Sequence, residues 1–216
     1  MSIICLSKFN YQIHLPYFTS EPFLKSILEM IPNDLGAAVI KSSKGVCIDL
    51  CAHSIEHLSE YKADFDYNDI ICIMQNLNKQ HDFLRKKYSC GFFIIDLKDI
   101  IVIDNSTFIC INSNLTKPIN LNGDFVFYSP FSRSSNGSFI SPELITMNII
   151  PSFASSKCFY YSLGALGISC LFKKKIEGLE IYEIEKILKP IYQTKLYWSL
   201  LKSTHVDCDK RTLLYI

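Results

Sequence analysis

Apolar residues recur along the chain at two spacings, and each change of spacing marks an element. Ser20-Glu21-Pro22 is a helix-start signal, after which Leu24, Ile27, Leu28 and Ile31 fall at helical spacing until Pro32 ends the run. LGAAVIKS and GVCIDLC follow as short apolar runs separated by SKG, which predicts a hairpin or two neighbouring strands. From Asp69 to Tyr88, Ile70, Ile73, Met74, Leu77, Leu84 and Tyr88 form one apolar stripe, with Lys and Arg in the last turn where the helix dipole favours them. FFIIDLKDIIVID (92–104) then sets Asp96 and Lys98 between isoleucine runs, and STFICIN (106–112) follows the turn residues Asn105 and Ser106. Residues 112–141, rich in Asn, Ser, Pro and Gly, predict a long surface loop around one strand, FVFY. Beyond Pro142 the pattern is helical to the end, interrupted near Gly178 and Pro190. The fold class expected is α+β: a small α/β part over 1–60 and a mostly helical part over 61–216, within one continuous domain.

Composition narrows the classes. Lys plus Arg (22) and Asp plus Glu (21) give a net charge of +1, so bulk charge selects neither nucleic acid nor an anionic membrane. The nine cysteines are scattered and odd in number. With no secretory signal at the start, they predict free thiols in a reducing, cytoplasmic setting. Cys47 and Cys51 lack a second ligand pair at zinc-finger spacing, and the alternation from Val46 to Cys51 reads as a strand. CFYYSLGALGISCLF (158–172) is shorter than the roughly 20 apolar residues a membrane span needs, and predicts a buried helix. His14, His53, His57, His81 and His205 stand in no recognisable catalytic triad or zinc motif and are expected at the surface.

Four landmarks in order resemble the protein kinase superfamily. Asp96-Leu97-Lys98 resembles the catalytic-loop Asp-Leu-Lys, SPEL (141–144) the Ala-Pro-Glu motif, YSLGALG (161–167) the buried helix that reads Asp-x-x-Ser-Leu-Gly, and DCDKRTLLYI (207–216) the terminal Asp-Pro-x-x-Arg segment. The resemblance, which extends to the shortened kinase-like proteins of large DNA viruses, covers the chain from about Phe23 onward. It implies a reduced N-terminal lobe with a few strands and one helix, a mostly helical C-terminal lobe, and a buried ion pair between Glu143 and Arg211. It also makes Lys41 in AVIK a misleading match, because Lys41 follows the first helix, whereas a phosphate-binding lysine precedes it. Lys8 is the only candidate in position, with an ordinary surface lysine as the alternative.

Several parts of the phosphoryl-transfer apparatus are missing. No Gly-x-Gly-x-x-Gly occurs, and the residues before the first helix are too few for two full strands and a phosphate-covering loop. Ile94 and Ile95 stand where the family has His and Arg. Ile100 or Ile101 takes the place of a metal-binding Asn, Asp99 substituting only if the loop rearranges, and Asn112-Ser113-Asn114 replaces Asp-Phe-Gly. Phe159 stands where an Asp anchors the catalytic loop. The resemblance therefore implies a catalytically impaired, pseudokinase-like domain that binds or scaffolds a protein partner, needs no cofactor, and keeps Asp96 and Lys98 as vestiges. Partner-binding surfaces are expected on the loop 114–141 and around Trp198 in 188–202. One alternative is a divergent Ser/Thr kinase using ATP and Mg2+, with Asp96 as base, Lys8 or Lys41 on phosphate and Asn112 or Asp99 on metal. The other is an unrelated α+β structural or virion protein.

Overall fold

The computed structural model describes residues 2–16, 18–42, 45–129 and 138–214. The chain opens with β1 (Ser2–Ser7) and β2 (Asn10–His14), an antiparallel hairpin closed by Lys8 and Phe9 with an irregularity after Cys5. Two short strands thus precede the first helix. A two-residue turn, with Phe9 at φ 72°, leaves room for both strands but for no covering loop.

Helix α1 (Glu21–Met30) follows, and then β3 (Ala38–Ser42) and β4 (Gly45–Cys51). The four strands form one antiparallel sheet in the order β1-β2-β4-β3. Strand alternation puts Ile13, Ile48 and Leu50 on its buried face, where Phe23, Leu24 and Ile27 of α1 join the same core. Next come the short β5 (Ile55–His57) and α2 (Leu58–Tyr61), and then α3 (Tyr67–Tyr88). Asp66 and Asp69 form a reciprocal capping box at the start of α3, through bonds of 2.9 and 2.7 Å. Arg85, Lys86 and Lys87 occupy its last turn.

Past α3 the chain is more strand-rich than its polar composition suggested. β6 (Cys90–Phe92) and β7 (Ile95–Asp96) lead into β8 (Ile100–Ile103) and β9 (Thr107–Cys110), a hairpin turned at Asp104 and Asn105, both with positive φ. The region expected as a long loop around one strand holds β10 (Thr116–Pro118), the expected strand as β11 (Asp124–Phe127), and β12 (Ser138–Phe139); its residues 130–137 lie outside the described residues. After α4 (Pro142–Ile145) comes another strand, β13 (Ser152–Ser155), which interrupts the expected all-helical remainder. It pairs with β11, and this ribbon buries Phe125, Phe127 and Ala154 in a second small core with Phe93 and Leu144. Pairing explains the miss: four-residue ribbons carry too few alternations to stand out in sequence.

The helical end consists of α5 (Cys158–Phe172), α6 (Ile181–Leu188) and α7 (Lys195–Ser203). α5 is apolar all round because it is enclosed, with Phe159, Leu163, Leu166 and Ile168 fully buried. Its glycines permit close approach. A Cβ at Gly164 would overlap Ser203 Oγ, and one at Gly167 would lie 2.9 Å from Leu200 and 3.1 Å from Ile70. No helix among the described residues is long and apolar enough to cross a membrane. The fold is mixed α+β with small antiparallel sheets, and one main core runs from Ile13 to Leu201.

Candidate functional site

The Asp-Leu-Lys segment forms a tight corner. Asp96 ends β7, Leu97–Asp99 make one 3-10 turn, and β8 begins at Ile100. Asp96 caps that turn, its Oδ1 accepting from the Lys98 N–H at 3.2 Å, while Lys98 Nζ lies 3.7 Å from Oδ2. Asp96 is 3% exposed, whereas the Lys98 side chain is largely in solvent. A charge so enclosed needs its local donors and its lysine. Strand β12 adds to the enclosure by pairing with β7, Ser138 opposite Asp96 and Phe139 opposite Ile95. Ser162 of α5 fixes that strand from below, donating its hydroxyl to the Phe139 carbonyl.

The 3-10 turn decides which residue faces Asn112. Ile100 and Ile101 are fully buried in β8, and it is Asp99 whose carboxylate meets Asn112, accepting from Asn112 Nδ2 at 2.9 Å. Ile100 and Ile101 thus lie in the core, and Asp99 is the residue beside Asn112. The Asp99 carbonyl also accepts from the Ile111 N–H at 2.8 Å, tying the corner to the end of β9. Burial is the largest influence on the Asp99 carboxyl and pushes its pKa up, against the Asn112 hydrogen bond and with the nearby Asp96 charge adding to the rise. Asn112 in turn caps the next 3-10 turn, accepting from the Asn114 N–H at 3.1 Å. The continuous apolar run Ile100–Ile103, in register with Phe108 and Ile109, was the sequence feature that could have located Asp99 as the last residue before the strand.

Asp96, Asp99 and Asn112 thus share one corner, two carboxylates and an amide. Among the described residues no group of three or more His, Cys, Asp or Glu is placed to share a metal ion. Lys8 is elsewhere: it sits in the β1–β2 turn with its Nζ 5.1 Å from the Phe9 ring. Within β2 itself, Gln12 donates to Asp49 Oδ1 at 2.7 Å, so this strand offers an amide rather than a cation. Lys41 is exposed on the outer strand β3.

Glu143 and Arg211 are brought together. Arg211 is fully buried and grips the Glu143 carboxylate with both terminal nitrogens, at 2.6 and 2.7 Å. Its remaining donors reach the carbonyls of His205 (2.6 Å) and Val206 (2.9 Å), and its guanidinium lies 5.1 Å from the Tyr161 ring. The ion pair therefore joins α4, α5 and the C-terminal segment.

His81 corrects the expectation of surface histidines. It is 2% exposed on the inner face of α3, stacked on Phe159 at 3.9 Å, and its Nδ1 accepts from the Phe92 N–H at 3.2 Å. Burial lowers its pKa to about 3, with nearby Arg85 a smaller contribution. Phe159 itself is fully buried, stacked on His81 and 6.0 Å from the Phe92 ring. His57, half-buried, ends strand β5. Trp198 is 43% exposed and meets Tyr197 edge-on at 5.0 Å, with Tyr192 beyond it 57% exposed. No protein-family model and no curated protein matches this sequence.

Proposed function

We propose that the chain is a reduced protein-kinase-like domain that has given up phosphoryl transfer and acts by binding a protein partner. The observation that carries this reading is the Glu143–Arg211 pair. Two residues 68 positions apart, each singled out by a kinase-like motif, meet in a bidentate buried contact. The order of elements supports it: a small sheet with α1 inserted after its second strand, the long α3, the Asp96 corner, the β8–β9 hairpin with Asn112 at its end, then α4 and the enclosed α5.

The loss of chemistry rests on separate features. The β1–β2 turn is too short to cover phosphates, Asn112 brings an amide where a charge is needed, and the buried isoleucines Ile94 and Ile95 precede Asp96. Each tenfold loss in rate requires only about 1.4 kcal/mol of lost transition-state stabilisation, so several such losses remove useful activity. Exposed Trp198 and Tyr192 supply the aromatic anchors that protein interfaces favour.

A second reading, a divergent Ser/Thr kinase, is favoured by one observation: Asp99 restores a carboxylate beside Asn112, as though the acid and the amide had exchanged places. Thermal denaturation with Mg-ATP separates the two. A ligand at 100 times its Kd stabilises a protein by about 2.7 kcal/mol. The proposal expects no shift at millimolar Mg-ATP. A Mg2+-dependent shift that disappears in Asp99→Ala would favour the kinase.

A further inference from the structure

A cleft runs along α3 beside the end of α1 and the C-terminal segment, and it shares no residue with the Asp96 corner or the surface around Trp198. Helical phase builds it. Lys79, Phe83 and Lys87 stand one turn apart on α3 and form a single row, and this row lines two adjoining cavities. One cavity, of about 460 Å3, is mainly apolar, walled by Met74, Phe83, Leu213 and Leu214. The other, of about 960 Å3, is mainly polar and includes Asn33, Gln75 and Asn76 in its walls. The wall facing α3 is tied down. The Thr212 N–H donates to the Lys202 carbonyl and the Ser199 hydroxyl to the Leu214 carbonyl, each at 3.4 Å. The apolar cavity is therefore preformed, and its volume falls within the roughly 300–1,000 Å3 of small-molecule sites.

Charge on the row decides the ligand. Asp82, also on the apolar cavity, is already met by Arg85 at 3.3 Å and by Lys86 at 3.4 Å. Lys79 has no ion pair among the described residues, and Lys87 meets the Phe83 ring, 4.8 Å from its Nζ, rather than a carboxylate. Two unmatched cations thus face one unmatched acid, Glu29 of α1, and the row keeps an excess of positive charge. A cationic amphiphile would be repelled there. A neutral apolar molecule would leave the lysines unused, and a polyphosphate would leave the apolar recess empty. A molecule with one anionic head and an apolar chain uses both halves.

We propose that this cleft binds a single-chain fatty carboxylate, its alkyl chain in the recess walled by Met74, Leu213 and Leu214 and its carboxylate at Lys79 and Lys87.

Isothermal titration calorimetry of the full chain with decanoate, below its micellar concentration, tests this. The expected result is saturable binding of one decanoate per chain. Octanoate should bind about tenfold more weakly, because each methylene buried in the recess tightens binding about threefold to fourfold. Decyltrimethylammonium, with the same chain length and the opposite charge, should bind at least about tenfold more weakly than decanoate. Lys79→Glu and Lys87→Glu, both at exposed positions, should keep the circular dichroism spectrum of the wild type and each weaken decanoate about tenfold. Lys189→Glu, an exposed lysine outside the cleft, should bind decanoate as the wild type does. No saturable binding at millimolar decanoate would overturn the proposal. Equal affinity for decanoate and decyltrimethylammonium, or undiminished binding in a folded Lys79→Glu/Lys87→Glu double variant, would overturn it as well.

Discussion

Glu143→Ala leaves the Arg211 guanidinium fully buried without its counter-ion, and the cost can be worked from the contacts. Four N–H···O bonds hold Arg211, two of them to the Glu143 carboxylate at 2.6 and 2.7 Å. Removing one partner of a buried ion pair costs about 3–5 kcal/mol, chiefly because the remaining charge is uncompensated. The Glu143 side chain is 24% exposed, so water can enter the vacated side, and the carbonyls of His205 and Val206 with the Tyr161 ring still solvate the cation. Those remaining contacts set the expectation at the lower end, about 3 kcal/mol. Arg211→Met removes the charge instead but leaves the two carbonyls without their donor, at about 1–3 kcal/mol each if they stay buried. In the double variant the stranded charge is gone, so the two costs should fall short of additive by about 2 kcal/mol. Urea unfolding of the wild type, both single variants and the double variant gives this coupling directly. A Glu143→Ala protein within about 1 kcal/mol of wild type, or strictly additive singles, would refute the assignment of this pair as a buried, coupled contact.

Three further outcomes follow from the core. Gln80 is fully buried on α3 and serves both backbone groups of Cys110, donating to its carbonyl and accepting from its N–H, each at 2.9 Å; Gln80→Ala should therefore cost about 2–4 kcal/mol in chemical denaturation. His81 stays neutral in the fold until about pH 3, whereas the unfolded chain takes up a proton below its ordinary 6.5. Acid therefore favours unfolding: this contribution is intact above about pH 6.5 and is lost as pH falls toward 3, amounting to about 2 kcal/mol by pH 5, and the difference between wild type and His81→Leu in urea midpoints measured at about pH 7.5 and 5 isolates it. Gly164→Ala places a methyl against Ser203 and 2.8 Å from Thr204, so α5 and α7 must separate; the melting temperature should fall by the equivalent of about 1–3 kcal/mol, with partial recovery in Gly164→Ala/Ser203→Gly.

Long periodic elements were legible in the sequence because each has enough turns to average out local exceptions. The stripe Ile70-Ile73-Met74-Leu77-Leu84 located α3, and the uniformly apolar 158–172 segment located α5. Short paired strands were not legible. β12 has two residues and β13 four, and their identity rests on partners distant in sequence, Asp96 with Ser138 and Val126 with Phe153. The corner was legible in outline, as an Asp-Leu-Lys before a hairpin. Its working detail was not, since the length of a single 3-10 turn decides whether Asp99 or an isoleucine faces Asn112. His81 was missed for a similar reason: helical phase does place it with Leu77 and Leu84 on the inner face, but residue type argued for solvent. Its stacking on Phe159, and the Phe92 N–H it accepts from, reversed that balance.

The central claim, a kinase-like corner without phosphoryl transfer, is tested most directly by transfer of labelled γ-phosphate from Mg-ATP to the chain itself and to a mixed Ser/Thr protein substrate. The account predicts incorporation at background level in both wild type and Asp96→Asn. Incorporation above background in the wild type, abolished in Asp96→Asn, would contradict it.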